Sequence, residues 1–383
     1  MTPDPLPGAS EAAAKLSSTC LRDFSSPGPI NEGETLRFMV SRDEWPVPYL
    51  IRYALLLIGL EDLGSAEKTA FYIPLRYRER WAAVTLQKFG MRLYVKHNPQ
   101  DEADRLAAER AHHEIIEKLE SAVRIIESKI LKPFSTEQVS AGNVTIVNQY
   151  ETLRRSYEYF REGARLAFAS DKSTSRNLSF GGISLITDPP EGFYNLVAAL
   201  NAYLSLLEHT LVLALPFIEF NPETESLTDF ISSRWGDKYR RVFGQQDRVA
   251  NQCRHELVLL VETWRNTYSH GGFDKHDATI HFHVPGVGAI PAAFSDIRDS
   301  PHFQFVPARE SDFEEAMKTL DAMDAWLQSG PLADAMLWIS EGLDMRYDQE
   351  FRDELHTARV EGKLGDMINH HNYVWERSAN MDW

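Results

Sequence analysis

At 383 residues the chain is long enough for two or three domains and a sizeable core, and does not need disulfide staples. Its two cysteines, Cys20 and Cys253, sit in no CxxC or other metal-like spacing, which points to a reducing, cytoplasmic setting. A net charge of -16 argues against broad coating of long nucleic acid and leaves room only for a small local site.

Residues 1–33 are rich in Pro, Ser and Gly and lack the basic start and apolar run of a signal peptide, so a disordered lead-in is expected. Residues 34–100 predict a small α+β module. A short helix over "PYLIRYALLLIGLEDLG" precedes three alternating apolar and polar runs, near 70–76, 80–87 and 91–97, which read as an antiparallel sheet. Over 101–170 the period becomes helical, and two long amphipathic stretches predict a helical hairpin. The Ser/Gly-rich "SDKSTSRNLSFGG" (170–182) then predicts a domain boundary.

Beyond it, helices are predicted at 191–217, 226–243, 246–269 and 311–328, with a strand or hairpin over 277–294. Residues 331–383 predict an acidic helical extension. Residues 193–217 are long enough to span a bilayer, but Asn201, Glu208 and His209 near the middle favour a buried core helix and no membrane partner.

Charge is uneven along the chain. Residues 226–275 carry eight Lys/Arg against six Asp/Glu, whereas 310–383 carry six against seventeen. The less acidic part contains "WRNTYSHGGFD". On the helix leading to it, Cys253, Leu257, Leu260, Trp264 and Tyr268 recur at steps of three and four, a core-facing stripe. At about 100 degrees per residue, Asn266 and His270 fall close together on the opposite side, with Arg265 on the flank. Gly271 and Gly272 then stop the helix. An Arg and a His at such a helix end also complement its dipole without any chemistry. Arg92 and His97 have the same spacing on a predicted strand and are assigned no chemistry.

The Arg265-Asn266 pair, the His after four intervening residues and the surrounding helical pattern over 185–330 resemble the HEPN superfamily (higher eukaryotes and prokaryotes nucleotide-binding domain). The resemblance implies a mainly α fold with a HEPN-like helical domain at 185–330. It implies a metal-independent endoribonuclease in which Arg265, Asn266 and His270 are catalytic and no cofactor or metal takes part. His270 would move protons at the ribose 2'-hydroxyl and the leaving 5'-oxygen, and Arg265 would stabilise charge on the phosphoryl oxygens. Asn266 would orient His270 or hold a phosphate oxygen. The family further implies an RNA substrate, a homodimer that joins two motifs in one cleft, and a bacterial toxin or anti-phage defence role with its regulatory partner unnamed. One departure is Gly272, which stands where the toxin branch with a Tyr two residues after the His has that Tyr.

Three other patterns compete. His281 and His283 share one strand face near His276 and could help hold a metal for phosphoester hydrolysis, or simply lie on a half-exposed strand. His113 and Glu117 are four apart on a helix, as any solvated face allows. Glu208 and His209 need partners if buried, either Arg265 across the bundle or nearer neighbours. A non-catalytic nucleotide-binding or dimerisation scaffold is the reading from another class.

Overall fold

The computed structural model describes residues 6–28, 34–40, 47–170, 179–180, 183–184, 191–244, 246–266, 280–286, 288–292 and 310–380. In chain order the elements begin α1 (Ala9–Ser18), β1 (Phe24–Ser25), β2 (Glu34–Met39), α2 (Pro48–Leu57), β3 (Thr69–Tyr77), β4 (Arg80–Gln87) and β5 (Gly90–His97). Next come α3 (Glu102–Ile126), α4 (Lys132–Ser140), β6 (Thr145–Ile146), α5 (Tyr150–Ser170), β7 (Ser179–Phe180), β8 (Ile183–Ser184) and α6 (Glu191–Leu213). They continue with α7 (Leu227–Ser232), α8 (Trp235–Phe243), α9 (Arg248–Leu260), β9 (Ile280–Val284) and β10 (Gly288–Ala292). Last are α10 (Glu310–Ser329), α11 (Ala333–Ser340), β11 (Met345–Arg346), α12 (Gln349–Val360) and α13 (Leu364–Asn380). The fold is mainly helical with a small antiparallel sheet near the amino terminus.

The chain divides into two units, Met1–Ala141 with Asn369–Trp383, and Gly142–Ile368. The first is built on a five-stranded antiparallel sheet of order β1-β3-β4-β5-β2. Alternation sets its register, with Ile73 opposite Val84 and Val84 opposite Leu93, all fully buried on one face. That face is covered by α3, whose Ala108, Ile115, Leu119, Ala122 and Ile126 recur at helical spacing and are all buried. Asp101 caps the helix by accepting the Ala103 and Asp104 N–H groups.

Three expectations are corrected here. Residues 1–33 contain α1 and β1, because Ala12 and Leu16 lie one turn apart and are completely buried in the first unit's core. Gly8, at φ 84, starts that helix, and a Cβ there would meet the Lys129 carbonyl at 2.5 Å. The two long helices of 101–170 do not form a hairpin, because α3 belongs to the sheet unit and α5 to the second. The boundary falls at Ala141–Gly142, and Gly142 is left-handed at φ 71.

In the second unit α5 packs along α6, and Gly192 lets them close up, since a Cβ there would meet the Phe168 ring at 2.9 Å. Among the described residues α6 is the helix long and apolar enough to cross a membrane, yet Leu196, Ala199, Leu200, Tyr203, Leu207 and Leu211 along it are all in this unit's core. The predicted domain 185–330 is too short at both ends. α5 lies before it, and Leu332, Trp338, Ile339, Met345, Tyr347 and Phe351 beyond it are core residues. The predicted acidic extension over 331–383 is therefore mostly part of the bundle. Beyond Ile368, α13 runs on into the first unit. β6 pairs with β11, and the Asn148 side-chain amide donates to the Ile339 and Leu343 carbonyls at 2.8 and 3.0 Å.

Candidate functional site

α9 is set in place from its start. Asp247 caps it by accepting the Ala250 N–H at 2.9 Å, and the Tyr239 hydroxyl of α8 donates to the Ala250 carbonyl at 3.0 Å. Tyr239 stands in an aromatic cluster with Phe243 at 4.5 Å, and Phe243 is 4.5 Å from Trp326; burial pushes the Tyr239 phenol upward. The predicted stripe faces inward as far as Trp264, and Tyr268 lies outside the described residues. Leu257 is buried, and Cys253, Leu260 and Trp264 pack half-buried against the core.

After Leu260 the helix widens into a π-helical turn, Val261–Asn266. The angular reading at a constant 100 degrees per residue therefore holds only up to that turn, and the expected side-by-side placement of Asn266 and His270 does not follow from it. Arg265 and Asn266 are the last two residues of the turn, described in backbone only, and His270 lies outside the described residues.

The rival histidines separate in the same way. His281 and His283 lie on β9 two apart, on one strand face, opposite Pro291 and Ala289 of β10, while His276 lies outside the described residues. His113 sets its ring edge-on to His112 at 5.0 Å. Glu208 and His209 are satisfied by near neighbours. Lys238, itself buried, donates to Glu208 at 2.6 Å, and the Gln149 N–H donates to His209 Nε2 at 2.9 Å. Burial holds the His209 imidazole below its ordinary range, which keeps it a neutral acceptor.

Two further polar clusters were not anticipated. In the bundle, the Tyr203 hydroxyl donates to Asp324 at 2.8 Å, Arg154 pairs with the same carboxylate, and Arg161 grips Asp321 with two bonds of 2.5 and 2.7 Å. Burial and Asp324 push the Tyr203 phenol well up.

In the sheet unit, the β3–β4 turn, the end of β5 and the flank of α3 beside the sheet border an open cleft of about 1090 Å³. It is lined by His97, the residue set aside with Arg92. A spacing of five on a strand sends the two side chains to opposite faces. His97 is 7% exposed and Arg92 2%. The signal for this cleft is tertiary, so no spacing in the sequence could have found it.

Compared with family models, curated proteins and solved structures, the chain matches none.

Proposed function

We propose that the second unit is a HEPN-like endoribonuclease that cuts RNA without a metal, with Arg265, Asn266 and His270 as its catalytic residues. The observation that supports the reading is that Arg265 and Asn266, the first two residues of "RNTYSH", stand in the π turn that follows α9, a helix whose inward stripe packs on the core. The substrate's 2'-hydroxyl is the nucleophile, His270 shuttles the proton and Arg265 meets the charge growing on the phosphoryl oxygens. Two chains supply the two proton-transfer groups by pairing their motifs. The setting is a cytoplasmic toxin or anti-phage defence effector.

The test is incubation of the full chain with mixed cellular RNA, with and without EDTA, followed by end mapping. Cuts that persist in EDTA and leave 2',3'-cyclic phosphates and 5'-hydroxyls support the reading, as does their loss in His270→Ala and Arg265→Ala. Loss of activity in chelator, or in His281→Ala alone, moves the chemistry to the His276, His281 and His283 group. RNA that is bound and never cut makes the unit a scaffold. Light scattering in solution reads the dimer directly.

A further inference from the structure

The register of the five-stranded sheet sorts its side chains into two unlike faces. One lies under α3 and carries the apolar core. On the other, β3 places Tyr72 and Arg76, β4 places Trp81, β5 places Arg92, Tyr94 and Lys96, and the edge strand β2 places Arg37. Four of these are Lys or Arg, and no position of β2, β3, β4 or β5 on this face is Asp or Glu, in a chain whose net charge is -16. Arg76 is paired with Glu79 in the β3–β4 turn, and the buried Arg92 donates to the Phe89 and Met91 carbonyls. Arg37, exposed on β2, and Lys96 meet no carboxylate among the described residues. Lys96 Nζ and the Trp81 Nε1 have no hydrogen-bond partner at all.

The aromatic residues of this face include one whose attitude is fixed by its bonding. Ala83 pairs with Tyr94, and Gln87 stands four residues further along β4, about 13 Å away at strand spacing. The Gln87 amide nevertheless donates to the Tyr94 hydroxyl at 3.4 Å. The Tyr94 side chain therefore lies along the sheet instead of standing up from it, with the completely buried Thr85 between the two strand positions. Tyr72, directly opposite Thr85, and Trp81 are half-buried on the same face. Burial, and then the neighbouring Tyr94, push the Tyr72 phenol upward, which sets the two tyrosines side by side.

We propose that this face of the sheet binds single-stranded nucleic acid, with bases stacked on Tyr72, Trp81 and Tyr94 and phosphates met by Arg37, Arg76 and Lys96. Every base has a π-face, so aromatic rings laid on a sheet hold a strand whatever its sequence, and cations without nearby carboxylates draw its backbone. A phosphate oxygen is also the acceptor that Lys96 Nζ lacks. The strands β3, β4, β5 and β2 make a platform about 14 Å across, room for roughly two or three stacked bases. A duplex keeps its bases inside its own stack and gains nothing from the rings. This face lies in the first unit and is independent of the ribonuclease reading.

Fluorescence anisotropy of the full chain with a labelled oligo(dT) of about a dozen nucleotides tests the proposal, because a DNA strand has no 2'-hydroxyl and is not consumed by the ribonuclease chemistry. The oligonucleotide is expected to bind, to weaken as salt rises, and to bind at least about tenfold more tightly than a duplex of the same length. Tyr94→Leu is expected to weaken it about tenfold with the salt dependence unchanged. Arg37→Gln and Lys96→Met are each expected to lower the slope of log affinity against log salt by about 0.7. Arg37 is exposed on an edge strand, so its variant keeps the test valid if the Tyr94 variant fails to fold. Four results would overturn the proposal: no binding of oligo(dT), a duplex bound as tightly, affinity and salt slope unchanged in both Arg37→Gln and Tyr94→Leu, or binding lost in Arg265→Ala instead.

Discussion

The Asp324 cluster of the bundle and the Lys96 end of β5 in the sheet unit use the same kinds of group to opposite ends. Around Asp324 the groups answer one another: Arg154 meets the carboxylate, the Tyr203 hydroxyl donates to it, and the neighbouring Asp321 is gripped by Arg161. At the Lys96 end of β5 the ion pairs lie on the α3 face, and the Lys96 Nζ and Trp81 Nε1 on the other face have no acceptor. A closed network stabilises the fold that contains it, whereas shielded donors without acceptors weaken it.

Removing Asp324 is expected to have the largest effect. Asp324→Ala takes the shared acceptor from Arg154 and the buried Tyr203 hydroxyl, leaving them Glu158 and a longer bond to the Leu320 carbonyl at 3.3 Å, a loss of about 2 kcal/mol that urea unfolding would read. Gly192→Ala follows closely, at roughly 2 kcal/mol, because the new methyl must push the Phe168 ring away and separate α5 from α6. Lys96→Met carries the opposite sign. It is expected to stabilise by about 1 kcal/mol, since it removes a shielded, unpaired ammonium tip and keeps its apolar stem. A loss of stability there would erase the contrast between the two clusters.

The smallest effect concerns acid. Burial keeps the folded-state His209 below its ordinary value of 6.5, so its contribution is complete above that pH and is lost as pH falls through and below it. His209→Gln can still accept the Gln149 N–H, and the variant is expected to lose less stability than the parent between about pH 7 and pH 5. Unfolding midpoints at the two pH values would show the difference, and parallel curves would contradict it.

Local elements were readable from the sequence wherever a pattern and a stop coincided. The three runs between 69 and 97 alternate cleanly and are broken by Arg78-Glu79 and by Lys88-Phe89 before Gly90, and they became β3, β4 and β5 almost residue for residue. Partners were not readable. The apolar stripe of α3 fits a helix or a sheet equally well, and only the assembled core selects the sheet. Breaks made by short turns were also missed. Helix 226–243 divides at Ser233-Arg234, and the stretch after 331 divides at Gly342, φ 77, to admit β11.

For the site, the inward stripe of α9 was legible from its spacing. The π turn was not, because it depends on backbone bonding that residue identity does not encode. The cleft escaped because it is assembled from the β3–β4 turn, the end of β5 and α3, which only the fold brings together.

The pairing of β6 with β11 has a consequence for the chain as it is made. Val212, near the end of α6, has its carbonyl bonded by the Tyr347 hydroxyl, and Tyr203 in the same helix waits for Asp324. At about 5–20 residues per second, the ribosome needs roughly 7–26 seconds after completing α6 to deliver β11. During that interval this long apolar helix has α5 beside it and lacks the rest of its cover. This makes it the segment on which a nascent-chain chaperone, or premature aggregation, would act first.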